Sequence, residues 1–246
     1  MLKQSKKSIK EAYDINKFKE RAYKAIDILT KYFNEAQSTQ IPVLNWQAPE
    51  DAIASWKPSQ YFYSEDKENQ LELLLEKLIA ESNHLHSPNY AGHQVSVTLP
   101  TAAIAEFVYS FLNNPSTIYE MSPASYGIEQ AIVCWMAEKL YIDQKTAGAV
   151  LTSGGSLGNL TALLAARQVK ASYDVWNEGV TNKLAIIVSD QNHYSISRAA
   201  HIMGLGNNSI YTVKSDPQFK MSVEDLERVY EQTQKDGKAV IAVCAI

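Results

Sequence analysis

The residues with the most chemistry to offer sit in one short run, Leu151-Thr-Ser-Gly-Gly-Ser-Leu-Gly-Asn-Leu160. The hydroxyls of Ser153 and Ser156 flank Gly154 and Gly155, just ahead of an apolar helical pattern over 159–170. Paired glycines let a backbone turn tightly and approach a ligand closely. The amides of a helix's first turn have no partner inside the helix and so point at an anion. The run therefore reads as a phosphate cradle. It lacks the Gly-Lys-Ser/Thr ending of a P-loop and the three-glycine spacing of a dinucleotide fingerprint. A plain Gly-Ser turn between a strand and a helix would use the same residues, so a second feature has to weigh in. Asp190-Gln-Asn-His193-Tyr-Ser195 provides it, because it follows an apolar strand pattern over 184–188. That order puts His193 at the carboxyl end of a strand, where open α/β sheets bind their ligands. An imidazole there can stack on an aromatic cofactor ring, relay a proton, or serve structure alone.

The elements that would position these residues change character along the chain. Over 13–33 the apolar residues Ile15, Phe18, Ala22, Ile26, Leu29 and Phe33 recur every three or four places, the pattern of an amphipathic helix with one face to cover. Residues 38–65 lose that period and gather Pro42, Pro49 and Pro58 among Trp46, Trp56, Tyr61 and Tyr63, which reads as an extended arm lying on a surface. Helices follow over 68–80, 101–112 and 128–140. After them come short strand patterns at 148–152, 184–188, 209–213 and 239–246, with helical stretches near 195–203 and 222–234. Ser222 is placed to cap the last of these. Alternating strands and helices predict a mainly parallel sheet covered on both faces. The expected division is a helical segment and arm over 1–115, packing on the main domain or on a second subunit, and an α/β domain from 116 to 246.

Composition excludes several classes of function. The chain has 246 residues, 46% of them apolar, and 23 basic against 27 acidic side chains give a net charge of -4. A broad nucleic-acid or acidic-membrane surface does not fit that balance. Lysines 3, 6, 7 and 10 read as a solvated tail. No apolar run approaches the ~20 residues that span a bilayer, and a cytoplasmic protein is expected. Cys134 and Cys244 stand alone in apolar segments and are expected to be buried free thiols. His84 and His86 have no evident third ligand, so a hydrogen-bonded loop is favoured over a metal site, and no metal is expected.

Three motifs taken in order carry a resemblance. They are His86-Ser-Pro-Asn-Tyr-Ala-Gly-His-Gln94, then Thr152 through Arg167, then His193-Tyr-Ser-Ile-Ser-Arg-Ala-Ala-His-Ile-Met-Gly-Leu-Gly206. Over about residues 70–246 the chain resembles the group II pyridoxal-phosphate-dependent amino acid decarboxylases, whose members act on glutamate, aromatic amino acids, histidine or 2,4-diaminobutyrate. The resemblance implies the type I, aspartate-aminotransferase-like fold, preceded by an N-terminal helical segment, in a homodimer. It implies that Gly155 and Ser156 bind the phosphate of pyridoxal 5'-phosphate, to which the cradle reading adds Ser153, Gly154 and Asn159 as expected cofactor contacts. His193 would stack on the pyridine ring and assist proton transfer. His93, Gln94 and Ser96 would approach the substrate, and Tyr119, Glu120, Ser122 and Tyr126 would lie near its entrance.

The resemblance also implies an aspartate facing the pyridine nitrogen and a Schiff-base lysine, both beyond Ile246. Lys170, Lys183 and Lys214 do not stand in that lysine's context and read as surface charges. The expectation is therefore the N-terminal part of a decarboxylase, truncated within its large domain and inactive by itself. The alternatives are a truncated relative that only binds a phosphate-bearing ligand or a partner chain, and an aminotransferase of the same fold.

Overall fold

A computed structural model describes residues 9–57, 69–146, 148–181 and 183–245. It divides into two compact units, Met1–Asn113 and Asn114–Ile246.

In the first unit the long helix Ile15–Gln37 begins where the Asp14 carboxylate accepts the amides of Asn16 and Lys17, at 2.9 and 3.3 Å. It packs on the helix Gln70–Ala80, where Lys24 Nζ lies 2.9 Å from Glu72. Phe18 meets Phe107 and Phe111 of the helix Pro100–Leu112, with ring centroids 5.9 and 4.8 Å apart. The rest of its apolar stripe stays open, Tyr23, Ile26 and Leu29 each being more than half exposed. The expected extended arm is corrected in part, because residues Pro49–Ser55 form a helix. Pro49 occupies its first turn, where the missing N–H would have had no partner anyway. Pro58, Tyr61 and Tyr63 lie outside the described residues.

The second unit is built on three parallel strands, β1 (Leu184–Ser189), β2 (Ile210–Val213) and β3 (Ala239–Cys244), in the order β2-β1-β3. Every residue of β1 is buried, which explains its unbroken apolar sequence. Strand alternation sends Leu184, Ile186 and Val188 to one face, against Leu163 of the helix Gly155–Lys170 and Ile196, Ala199 and Ala200 of the helix Ser195–Ile202. Ile187 faces the other way, into Val213 and into Val229 of the helix Val223–Lys235. The sheet is thus covered by helices on both faces. Ser222 caps the last helix, its Oγ accepting the Asp225 amide at 3.2 Å.

Two expectations are overturned here. Residues 148–152 form no strand, and Val150 and Leu151 are more than half exposed. A strand exists only against a partner, and among the described residues none pairs with this segment; the Leu151 amide instead donates to Glu129 Oε1 at 2.7 Å. Cys134 is exposed and Cys244 half-buried, both free. On the helix Pro123–Lys139 the inward positions are Val133 and Ala137, four residues apart, and Cys134 follows Val133 by about 100° of helical turn.

Candidate functional site

The cradle is carried by the helix Gly155–Lys170, which begins four residues earlier than its apolar pattern suggests and so takes Gly155 and Ser156 into its first turn. Gly154 precedes it in extended geometry, with φ 170°. Gly154, Gly155 and Gly158 all lack the left-handed φ that glycine alone adopts readily, so the tight-turn rationale for the pair does not hold. What the pair provides is space. A Cβ built on Gly154 or Gly155 meets no atom within 4 Å. No acidic residue stands in the first turn of this helix, and Arg167 and Lys170 lie in its last, so the dipole's positive end faces the cradle unopposed. Ser153 and Ser156 are exposed beside it.

His193 follows β1 in a turn held by Ser189, whose carbonyl accepts Asn192 Nδ2 at 2.8 Å and whose Oγ accepts the Gln191 amide at 3.1 Å. Asp190 in the same turn accepts the Ser215 hydroxyl and, at 3.1 Å, the Ser215 amide. Those donors, the hydroxyl foremost, hold its carboxyl below the usual carboxylate range. Asn192 Oδ1 is buried with no hydrogen-bond partner among the described residues. The His193 ring lies 4.3 Å from that of Tyr194, over which the Arg198 guanidinium sits at 4.6 Å.

Sequence reasoning passed over the residue that joins cradle to histidine. Ser195, buried at 1% exposure, has its Oγ 2.8 Å from His193 Nδ1 and receives Asn159 Nδ2 at 2.8 Å. The signal available was its place, two residues after the histidine and first in a helix. Asn159 therefore commits one amide hydrogen to Ser195, leaving the remainder of its side chain for a ligand.

His93, Gln94 and Ser96 belong to the first unit, where all three are exposed. His93 lines a cleft of about 750 Å³ together with Trp46, Trp56, Tyr90 and Glu81. His84 is buried, with Nδ1 2.8 Å from the Pro42 carbonyl and Nε2 2.9 Å from that of Ile79, the hydrogen-bonded arrangement rather than a ligand pair. Among the described residues no group of three or more His, Cys, Asp or Glu side chains is placed to hold a metal, and no helix is long and apolar enough to cross a membrane. Tyr119 meets Tyr126 edge-on at 5.4 Å, and Ser122 is buried against Ser125, 2.7 Å away. Lys170, Lys183 and Lys214 are exposed.

Residues 49–246 match the family model described as the pyridoxal-dependent decarboxylase conserved domain. A glutamate decarboxylase-like protein of Gibberella zeae is 33% identical over 159 residues, 65% of this chain and 31% of that protein. The L-2,4-diaminobutyrate decarboxylase of Acinetobacter baumannii is 27% identical over 192 residues, 72% of this chain and 38% of that one. In fold, the crystal structure of Rhodiola rosea 4-hydroxyphenylacetaldehyde synthase superposes with a TM-score of 0.81 at 23% identity, covering 95% of this chain and 50% of its own. The chain thus spans half or less of the length of these relatives. With the family model covering most of its length and the cradle, strand and histidine in the order described, the chain belongs to the pyridoxal-dependent decarboxylase family.

Proposed function

We propose that this protein takes part in the pyridoxal-phosphate-dependent decarboxylation of an L-amino acid to an amine and carbon dioxide. One observation carries the reading. The Asn159–Ser195–His193 chain of hydrogen bonds joins the helix that begins at Gly155 to His193, which supports a single site built from both. The residues present fit the cofactor: open space over Gly154 and Gly155, hydroxyls at Ser153 and Ser156, and a helix N-terminus free of acidic side chains would hold its phosphate. His193 would cover its ring. When bound, pyridoxal phosphate supplies the electron sink for the bond to the departing carboxylate. The family's relatives include glutamate, aromatic and 2,4-diaminobutyrate decarboxylases, and this reading takes its substrate from those classes. His93, Gln94 and Ser96 would meet that substrate. The open stripe of the helix Ile15–Gln37 supports a homodimer in which the N-terminal segment clasps a second copy.

The test is carbon dioxide capture from the protein, purified in the longest form its gene encodes, with pyridoxal phosphate and glutamate, 2,4-diaminobutyrate or an aromatic amino acid in turn. Amine and carbon dioxide formed without a keto acid support the reading. Amino transfer that needs a keto acid and releases no carbon dioxide overturns it in favour of an aminotransferase. Cofactor binding without turnover overturns it in favour of a binding protein.

The glycine pair gives a sharper expectation. Gly155→Ala adds a methyl group that meets no protein atom and improves helix propensity, so it stabilises the fold by up to about 1 kcal/mol. The same methyl group fills the cradle and weakens pyridoxal phosphate binding about tenfold or more, in line with overpacking costs of ~1–3 kcal/mol. Thermal melting and a fluorescence titration with the cofactor read the two effects separately. A variant that binds as tightly as the parent would show that the cradle does not take the phosphate.

A further inference from the structure

We propose that Ser195 is a positioning residue that fixes which nitrogen of His193 carries the proton, and that Asn159 sets the direction of this control. The significance for catalysis rests on the decarboxylase reading above; the tautomer itself does not. Three hydrogen bonds define the arrangement. The Ser195 backbone N–H donates to His193 Nδ1 at 3.2 Å, the Ser195 Oγ lies 2.8 Å from the same Nδ1, and Asn159 Nδ2 lies 2.8 Å from that Oγ.

The backbone amide gives a first bias, weaker than the hydroxyl because its contact is the longer. It can only donate, so it favours a lone pair on Nδ1 and the proton of the neutral ring on Nε2. The serine hydroxyl has a single hydrogen. It receives an N–H from Asn159 on its oxygen and sends its own hydrogen to Nδ1, so the chain runs in one direction from the cradle helix to the ring. Ser195 is 1% exposed, which keeps water from offering its hydroxyl an alternative partner. Asn159 is half-buried on the cradle helix, so the same residue borders the anion site and orients the histidine.

The consequence is a fixed role for the outer edge of the ring. His193 presents Nε2–H, a hydrogen-bond donor suited to an anionic oxygen such as a carboxylate or phosphate, and it presents no lone pair there with which to accept a proton. A histidine free to choose its tautomer would divide its time between donor and acceptor. Here the choice is made by a buried serine.

The experiment is nitrogen-15 NMR of the imidazole rings in the uniformly labelled protein, with no cofactor or substrate added. The chain has five histidines, and His193 is assigned by the resonances lost in His193→Gln. The expected spectrum shows a pyridine-type Nδ1 and a pyrrole-type Nε2 for His193. Ser195→Ala, which leaves only the longer backbone bond, moves both resonances toward the averaged position of a mixed tautomer. Asn159→Asp reverses the chain, because its carboxylate accepts the serine hydrogen and turns a lone pair toward Nδ1. The Nδ1–H share of His193 then rises. A parent protein protonated on Nδ1 overturns the proposal without any variant, as does an Asn159→Asp spectrum in which the His193 nitrogens do not move. Since the readout needs no turnover, a protein that fails as a decarboxylase can still pass this test, and one that fails it can still decarboxylate.

Discussion

On the proposed decarboxylase reading, His193→Ala is expected to lower kcat for carbon dioxide release about 10²–10³-fold, the cost of removing one preorganised donor from a site. The ring stands just past the carboxyl end of the fully buried β1, and two hydrogen bonds with Ser195 fix its orientation. Little motion is needed to bring Nε2–H to a developing or resident negative charge. Ser195 and Asn159 join it to the cradle helix, so on the proposed reading the two ends of a bound ligand would be gripped by one connected structure. His193→Gln separates two roles for the ring. A glutamine amide keeps an N–H donor but cannot exchange a proton, so a donor role predicts that glutamine recovers a substantial part of the activity that alanine loses. Equal losses in the two variants would instead assign His193 to proton transfer, as the family resemblance implies. His193→Ala should also cost about 1–3 kcal/mol of stability, because it leaves the buried Ser195 hydroxyl without its acceptor, whereas a glutamine carbonyl can replace that acceptor.

The legibility of this fold in the sequence followed the kind of physics that set each element. β1 could be read because a strand buried on both faces has a continuous apolar signature, and Leu184 to Val188 carry it without interruption. The long N-terminal helix could be read because its apolar stripe is periodic whether or not anything covers it. Residues 148–152 misled for the converse reason. Their apolar run matches a buried strand, yet strand formation depends on a partner that local sequence does not contain. The start of the cradle helix was hidden because Gly155, Ser156 and Gly158, which open it, are poor helix formers. The site divided along the same line. His193 and the glycine pair stood out as residue types that chemistry requires, whereas Ser195 is an ordinary residue whose importance lies in two contacts, one of them 36 positions away in sequence. Long-range pairs of that kind are not written in any local pattern.

Ile186→Ala is expected to destabilise the protein by about 2–5 kcal/mol, the range for removing a large aliphatic side chain from a packed core. Ile186 is 0% exposed in the middle strand, opposite Ile210 of β2 and Ala242 of β3, and its side chain packs with Leu163 and Ile196 from the two helices that carry the cradle and follow the histidine. A domain holds only about 5–15 kcal/mol in total, so this one truncation removes a large share of it. The loss should appear as a lower urea midpoint at unchanged slope, since the surface exposed on unfolding hardly changes. Ile186→Val, which removes one methyl group, should cost about 0.5–1.5 kcal/mol. Val150→Ala serves as the control: Val150 is 58% exposed despite its strand-like surroundings, and its replacement should cost no more than about 0.5 kcal/mol. The ranking matters more than any single value. A cost at Val150 equal to that at Ile186 would mean that residues 148–152 are buried in the working protein, paired with a strand outside the described sheet. The cradle would then hang from a fourth strand beside the first three, as the alternating sequence pattern led one to expect.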